Sequence, residues 1–113
     1  MDRLSPAQLA SWCAEHGQAG RGARVLDVRE TWEVQLAQVQ PEGFELLHIP
    51  MSRLGAEWGN LEPEVPIACL CHHGVRSLQV ANFLATRGFA HVAKIEGGID
   101  AWSASVDPRV PRY

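Results

Sequence analysis

Short, mostly apolar runs recur along the chain and predict β-strands. They occupy residues 25–28, 44–48, 67–71 and 91–95, and Gly or Pro residues lie close to each run. The run at residues 67–71 contains no charged or strongly polar side chain. This lack of alternation is typical of a strand in a parallel sheet that is covered on both faces.

Apolar residues between these runs follow helical spacing instead. The pattern predicts helices over residues 31–40, 77–87 and 99–103, and a short helix or irregular link over residues 51–61. An N-terminal helix begins at a capping box between Ser5 and Gln8 and ends at Gly17, and a Gly-rich loop follows over residues 18–23. Strands therefore alternate with helices, which indicates an α/β fold with a mainly parallel sheet.

The predicted helices have inward faces that can be assigned by residue. The expected core positions are Leu9, Trp12 and Cys13 in the first helix, Trp32, Leu36 and Val39 in the second, and Leu78, Ala81, Leu84 and Ala85 in the helix that Gly88 closes. Trp32, Trp58 and Trp102 are expected in the core or in the wall of a pocket.

Length and composition limit the possible functions. The 113 residues, 46% hydrophobic and 20% charged, predict one globular domain over residues 1–113. A net charge of −3 argues against nucleic acid as a partner, and the longest apolar run, of five residues, is too short to cross a membrane. The N-terminus has no apolar signal region, and the odd number of cysteines, three, favours reduced thiols, so we expect a cytoplasmic protein.

Cys71 is the strongest candidate for chemistry. It ends the most apolar predicted strand, and a helix is expected a few residues later. Ligands of parallel α/β proteins bind beyond the carboxyl ends of the strands. A thiolate at a helix N-terminus is stabilised by free backbone N–H groups and the helix dipole. Arg76 can add a positive charge, and Gly74 allows the loop amides to turn inward.

The charge pattern around Cys71 points the same way. Residues 65–95 contain no Asp or Glu, although the stretch holds Arg76, Arg87 and Lys94. The segment therefore favours an anion. The alternative explanation is that a buried strand and a packed helix contain few acidic residues anyway.

Four short motifs, in this order along the chain, resemble those of the rhodanese-like domain family. They are Asp27-Val28-Arg29-Glu30, His48-Ile49-Pro50, the loop Cys71-His72-His73-Gly74-Val75-Arg76-Ser77, and Gly97-Gly98-Ile99-Asp100-Ala101-Trp102. Together they run through most of the chain. The resemblance implies a three-layer fold with a five-stranded, mainly parallel sheet flanked by helices.

The resemblance also implies a sulfurtransferase. Cys71 would attack thiosulfate or a persulfide donor, carry the sulfur as a persulfide, and pass it to cyanide, a thiol or a partner protein. No metal or organic cofactor is implied. The expected substrate-binding residues form the loop itself: His72, His73, Gly74, Val75, Arg76 and Ser77. Four residues separate Cys71 from Arg76, whereas phosphatase members of the family have five, so the smaller ring favours sulfur over phosphate.

Supporting roles and their alternatives concern a few further residues. Asp27, Arg29 and Glu30 are expected to form an ion-pair network at the end of the first predicted strand, with a direct role for Arg29 at the pocket mouth as the alternative. His48 is interpreted as structural rather than as a general base. Cys69 is expected in the core, with a resolving thiol as the alternative. Cys13 is expected to pack in its helix.

Departures from the family pattern and other classes of function also bear on the prediction. Leu47 stands where the family has Gly before His48, and His72-His73 stand where strong thiosulfate users often have Arg or Lys. Neutral imidazoles bind a dianion weakly, which favours persulfide donors. The alternatives are a non-catalytic rhodanese-like interaction module, a metal-binding protein using Cys69, Cys71, His72 and His73, and a phosphatase or arsenate reductase, which the loop length disfavours.

Overall fold

A five-stranded parallel sheet forms the centre of the computed structural model, which describes residues 1–17 and 22–113. The strands are β1 (Asp2–Leu4), β2 (Arg24–Asp27), β3 (Glu45–His48), β4 (Ile67–Leu70) and β5 (Val92–Ile95). Their order across the sheet is β1-β5-β4-β2-β3, and every pair is parallel. The predicted α/β fold with a parallel sheet is confirmed.

Helices lie in the connections between successive strands, and a last helix follows β5. They are α1 (Leu9–His16), α2 (Thr31–Leu36), α3 (Met51–Glu57), α4 (Val75–Thr86) and α5 (Gly98–Ser105). Short 3-10 turns at Pro6–Gln8 and Trp58–Asn60 precede α1 and follow α3. The link predicted over residues 51–61 is therefore helical for most of its length. Among the described residues, no helix is long and apolar enough to cross a membrane.

Successive residues of the strands contribute to two separate cores. Val25, Leu70 and Ile95 pack on one face of the sheet with residues of α1 and α5. Leu26 and Cys69 pack on the other face with residues of α3 and α4. Because both faces are covered, the strands need no polar alternation, and this explains the uninterrupted apolar run at residues 67–71. The three-layer arrangement is confirmed.

The register of the central strands brings their carboxyl ends together. Asp27 of β2 lies opposite Leu70 of β4 and His48 of β3. The amide of Val28 also donates to the carbonyl oxygen of Leu70 at 2.9 Å. The segments that follow these strands, which include Cys71, therefore begin at one edge of the sheet.

The prediction for the second helix was wrong in length and in its buried face. The helix ends at Leu36, and Ala37 adopts an extended conformation with φ −156°. Ala37 and Val39 are buried two residues apart, as extended chain requires, whereas Trp32 is 61% and Leu36 51% exposed. The i, i+4, i+7 spacing of Trp32, Leu36 and Val39 therefore did not mark a helical face. Trp102 is buried as expected, and Trp58 is partly buried.

Smaller corrections concern the bounds of the other elements. Helix α4 begins at Val75, and its buried residues are Ser77, Val80, Ala81 and Leu84. Leu78 is only partly buried and Ala85 is exposed, so the inward face is rotated from the predicted one. Strand β1, which pairs with β5, was missed by the residue pattern because only Leu4 of its three residues is buried.

The N-terminal helix follows the prediction more closely. The capping box between Ser5 and Gln8 is present, and the amide of Ser5 donates to Gln8 Oε1 at 2.9 Å. Leu9, Trp12 and Cys13 form the buried face of α1, and the helix ends before Gly17. Most of the loop predicted over residues 18–23 lies outside the described residues.

Candidate active site

Cys71 lies immediately after β4, because the strand ends one residue earlier than predicted. Helix α4 begins four residues after Cys71. The backbone amide of Gly74 donates to Cys71 Sγ at 3.0 Å. Cys71 Sγ also lies 3.4 Å from the hydroxyl of Ser77, which itself donates to the carbonyl oxygen of Gly74. The sulfur therefore contacts the first turn of a helix of twelve residues, where free N–H groups and the helix dipole favour negative charge.

Gly74 has the backbone conformation that this turn needs. It caps α4 with φ +107°, a left-handed conformation that residues with a side chain rarely adopt. A Cβ at this position would also lie 3.3 Å from Lys94 Nζ and from the amide nitrogen of Gly97. The turn that directs the Gly74 amide toward sulfur thus depends on glycine for conformation and for space.

The loop is attached to the start of α5 by backbone hydrogen bonds. The amide of Ile99 donates to the carbonyl oxygen of Cys71 at 2.8 Å, and the amide of Asp100 donates to that of His72 at 3.1 Å. A Cβ on Gly98 would collide with both of these carbonyl oxygens, and Gly98 has φ +61°. Gly98 belongs to the Gly97-Gly98 motif, but its role in holding the loop was not predicted.

Arg76 is paired with an acidic residue from another helix. Its guanidinium donates to Glu33 Oε2 at 2.6 Å and to Oε1 at 2.7 Å. This contact, chiefly, lowers the pKa of Glu33 to about 2 and raises that of Arg76. Arg76 therefore fixes the start of α4 against α2, and its charge is balanced within the protein. Glu33 was not among the predicted site residues.

The C-terminal residue Tyr113 joins this cluster. Its hydroxyl donates to Glu33 Oε1 at 3.0 Å and accepts from Arg29 Nη1 at 3.1 Å. Its ring stacks on His72 with centroids 3.9 Å apart and an interplanar angle of 7°. Tyr113 thus links a loop residue to the buried charges, a role that no local sequence pattern indicated.

The predicted network at the end of β2 is present for two of its three residues. Arg29 is fully buried and forms an ion pair with Asp27, with Nη2–Oδ2 at 2.7 Å. Since none of Arg29 is exposed, it is not at the mouth of a pocket. Glu30 instead caps α2 and accepts a hydrogen bond from Ser52 at 2.7 Å. His48 donates from Nε2 to the carbonyl oxygen of Arg29 at 2.7 Å, which is a structural role.

The remaining loop residues differ in exposure. His73 and Val75 are exposed, whereas His72 is partly buried between the rings of His73 and Tyr113. Cys71 itself is only 1% exposed. Any molecule that reacts with the thiol must therefore present a narrow reactive atom to it, or the loop must shift.

All three cysteines are free and buried. Burial raises the pKa of Cys69 to about 12, with a further contribution from nearby Cys71, and burial also raises the pKa of Cys13. These two thiols therefore resist ionisation. The geometry agrees with the expectation that Cys69 belongs to the core, in the cluster that also contains Cys71.

Acidic residues from outside the acid-free segment reach its basic side chains in the folded protein. Glu33 contacts Arg76, and Glu96 contacts Lys94 at 3.0 Å. Asp100 Oδ2 lies 4.0 Å from His73 Nδ1. Arg76 and Lys94 are thus paired with carboxylates, and the backbone amide of Gly74 is the group that donates to Cys71 Sγ.

The fold and the loop define an α/β protein with a cysteine held at a helix N-terminus beyond a central parallel strand. The family model for the rhodanese-like domain matches residues 5–105. The chain therefore belongs to the rhodanese-like domain family.

The chain is similar to one relative that is much longer and to another of comparable length. The chain is 41% identical over 96 residues to the rhodanese-like/PpiC domain-containing protein 12, chloroplastic, of Arabidopsis thaliana, covering 80% of this chain but only 30% of that protein. It is 30% identical over 92 residues to the thiosulfate sulfurtransferase GlpE of Actinobacillus pleuropneumoniae, covering 81% of this chain and 82% of the relative.

A solved structure agrees over the whole chain. The crystal structure of a rhodanese-related protein from Thermoplasma volcanium superposes with a TM-score of 0.78 at 28% sequence identity, covering 100% of both chains. The topology described above is thus that of a rhodanese fold.

Proposed function

We propose that the protein is a sulfurtransferase that moves a sulfane sulfur from thiosulfate or a persulfide to a thiol, cyanide or protein acceptor through a persulfide on Cys71. The observation that carries the proposal is the 3.0 Å hydrogen bond from the Gly74 amide to Cys71 Sγ at the start of α4. Membership of the rhodanese-like family and similarity to a protein named thiosulfate sulfurtransferase support it.

The reaction proceeds in two displacement steps. In the first, the Cys71 thiolate attacks the sulfane sulfur of the donor, a new S–S bond forms, and the donor S–S bond breaks with release of sulfite or a thiolate. In the second, the acceptor attacks the outer sulfur of the Cys71 persulfide, and the Cys71 thiolate leaves. The nucleophile is thus regenerated without an oxidant, a reductant or a cofactor, and ping-pong kinetics are expected.

Individual loop groups have different tasks in this scheme. The Gly74 amide stabilises negative charge on Cys71, and the Ser77 hydroxyl, 3.4 Å from Sγ, can rotate to donate to the thiolate. The amides of His72, His73, Val75 and Arg76 complete the proposed substrate loop. The Arg76 side chain shapes the loop through Glu33 rather than binding the donor.

The charge balance of the site favours persulfides over thiosulfate. Thiosulfate carries two negative charges, and the guanidinium of the loop, on Arg76, already donates both of its terminal nitrogens to Glu33. The partly buried and exposed histidines, His72 and His73, offer less fixed charge than Arg or Lys. The predicted order of donor efficiency is therefore a low-molecular-weight persulfide before thiosulfate.

The wider setting forms part of the same proposal. Residues 1–113 act as one rhodanese-like domain, its partners are small sulfur donors and thiol or protein acceptors, and neither nucleic acid nor membrane is a partner. Three free thiols suit a reducing, cytoplasmic location.

Steady-state turnover tests the proposal. Sulfur transfer is measured with thiosulfate and cyanide, and separately with a persulfide and a thiol, for the wild type, Cys71→Ser and Cys69→Ala. We expect Cys71→Ser to fall to the uncatalysed rate with an unchanged circular dichroism spectrum, and Cys69→Ala to keep most of the activity. Turnover retained in folded Cys71→Ser contradicts the proposal, and no turnover by the folded wild type with either donor favours a non-catalytic interaction module.

A further inference from the structure

A second group of reactive side chains lies beside the Cys71 loop. His72 and His73 of the loop and Asp100 of α5 place one potential ligand atom each within 4.8 Å of one another. The group contains neither Cys69 nor Cys71, so it differs from the cysteine-containing metal site considered from the sequence. Two imidazoles and a carboxylate form a ligand set that zinc accepts in proteins.

The backbone already holds the three residues together. The amide of Asp100 donates to the carbonyl oxygen of His72 at 3.1 Å, and His73 directly follows His72. His73 Nδ1 lies 4.0 Å from Asp100 Oδ2. The loop and the first turn of α5 are thus fixed next to each other without any ion, and only side-chain rotations remain for a ligand geometry to form.

His72 has an unsatisfied nitrogen in this cluster. Its Nε2 is buried and has no hydrogen-bond partner among the described residues. Stacking on Tyr113 and on His73, both with centroids 3.9 Å away, holds the ring in place. A buried polar atom without a partner is unfavourable, and coordination of a metal is one way in which an imidazole nitrogen is satisfied.

We propose that His72, His73 and Asp100 bind a zinc-class divalent cation at the edge of the Cys71 loop. Zinc bonds to such nitrogen and oxygen ligands measure about 2.0–2.2 Å, so the ligand atoms must approach one another from their present spacing. His73 is 63% exposed and the Asp100 side chain 24%, so both can rotate. Three protein ligands leave a fourth position for water or another small ligand.

Arg112 competes with the cation for Asp100. Its Nε donates to Asp100 Oδ1 at 3.0 Å and its Nη2 to Oδ2 at 3.1 Å. Metal binding must break or rearrange this pair. Removal of Arg112 is therefore expected to strengthen zinc binding, an effect opposite to that of removing a ligand.

The chain contains a matched control for both residues. Arg109 donates from Nε and Nη2 to the two carboxylate oxygens of Asp107, as Arg112 does to Asp100. Both arginines are exposed. Asp107 is not part of the histidine cluster. Asp107→Asn and Arg109→Ala therefore repeat the chemical changes of Asp100→Asn and Arg112→Ala at a site where no effect on zinc binding is expected.

The test measures binding of zinc chloride by calorimetry to untagged protein in a Cys71→Ser background, which removes the loop thiol as a ligand. One ion per chain is expected. Asp100→Asn and His73→Ala should each weaken zinc binding by at least about tenfold. Loss of a residue that only orients a metal ligand commonly lowers the affinity by that factor, and loss of a ligand should lower it at least as much. Arg112→Ala should tighten it, and the two control variants should match the parent. Cobalt substitution should give the visible spectrum of a nitrogen and oxygen site without thiolate charge transfer.

Two results would overturn the proposal. One is the absence of zinc binding to the folded Cys71→Ser protein, and the other is equal affinity of Asp100→Asn and Asp107→Asn. The zinc measurements use a Cys71→Ser protein, which lacks the nucleophile of the proposed reaction. Either result can therefore be distinguished from a failure of the proposed sulfurtransferase function.

Discussion

The guanidinium of Arg76 and the carboxylate of Glu33 form a two-point ion pair, with nitrogen–oxygen distances of 2.6 and 2.7 Å. The pair joins the first turn of α4, which carries the Cys71 loop, to α2. Tyr113 donates a further hydrogen bond to the same carboxylate. The basic residue of the loop therefore connects two helices, and the Gly74 amide is the loop group that donates to Cys71 Sγ.

Glu33→Gln should destabilise the protein. The Glu33 side chain is 4% exposed and that of Arg76 is 31% exposed, so the variant leaves a partly buried cation without its counter-charge. Since Arg76 keeps some water, we expect a loss of about 1–3 kcal/mol in the free energy of unfolding, less than for a fully buried pair. Urea unfolding measures it.

Glu57→Gln is the matched control for that substitution. Glu57 pairs with Arg53 on the surface of α3 at 3.3 Å, with both side chains more than a third exposed. The expected change is below about 0.5 kcal/mol. Equal effects of the two substitutions would contradict the structural role assigned to the Arg76–Glu33 pair.

The same ion pair predicts a pH dependence of stability. The pKa of Glu33 falls from an ordinary 4.5 to about 2 in the folded protein, chiefly because Arg76 donates to the carboxylate. A lowered pKa in the folded state stabilises the protein above the unfolded value, and the stabilisation is lost as pH falls toward the folded value. Wild type should therefore lose stability between about pH 5 and about pH 2 more steeply than Glu33→Gln. Parallel curves would show that the carboxylate is not held in its charged form.

The hydroxyl and the ring of Tyr113 should contribute separately to stability and to sulfur transfer. Tyr113→Phe removes the hydrogen bonds to Glu33 and from Arg29 and should cost about 1 kcal/mol of stability. Tyr113→Ala also removes the stacking on His72, so it should cost more and lower kcat/KM for sulfur transfer further than Tyr113→Phe does. Thermal unfolding and turnover of both variants measure these effects. Identical kinetics of the two variants would mean that the ring does not position His72.

Gly98 should be intolerant of a side chain. Gly98→Ala places a Cβ against the carbonyl oxygens of Cys71 and His72 at φ +61°, so a loss of at least about 2 kcal/mol is expected. Gly55→Ala lies in α3 with open space around the new Cβ and should stabilise the helix by about 0.5–1 kcal/mol. Chemical unfolding of both variants checks the contrast, and a neutral Gly98→Ala would show that the loop moves away from α5 readily.

The predictable parts of the fold were those encoded by neighbouring residues. A strand buried on both faces is a local apolar run, so β4 and the position of Cys71 at its end were predicted to within one residue. The start of α4 was predicted less closely, at residue 77 instead of Val75. Strand β1 was missed because its three residues contain a single buried side chain.

The missed features depend on contacts between distant parts of the chain. Glu33 lies 43 residues from Arg76, and nothing in either local pattern indicates that they pair. Trp32 is apolar and correctly spaced for a helix face, yet it is exposed because the chain becomes extended after Leu36 and buries Ala37 and Val39 instead. Apolar spacing alone did not distinguish the helical period of about 3.6 residues from the extended-chain period of about two.

Sulfur uptake by the resting protein tests the central claim most directly. The reduced protein is incubated with thiosulfate, or with a low-molecular-weight persulfide, and its intact mass is measured before peptide mapping. We expect a gain of one sulfur atom on the peptide that contains Cys71, greater with the persulfide, and its loss on addition of cyanide or a thiol. Absence of uptake from both donors by folded protein with a free Cys71 thiol, or uptake located on Cys69 or Cys13, would contradict the account.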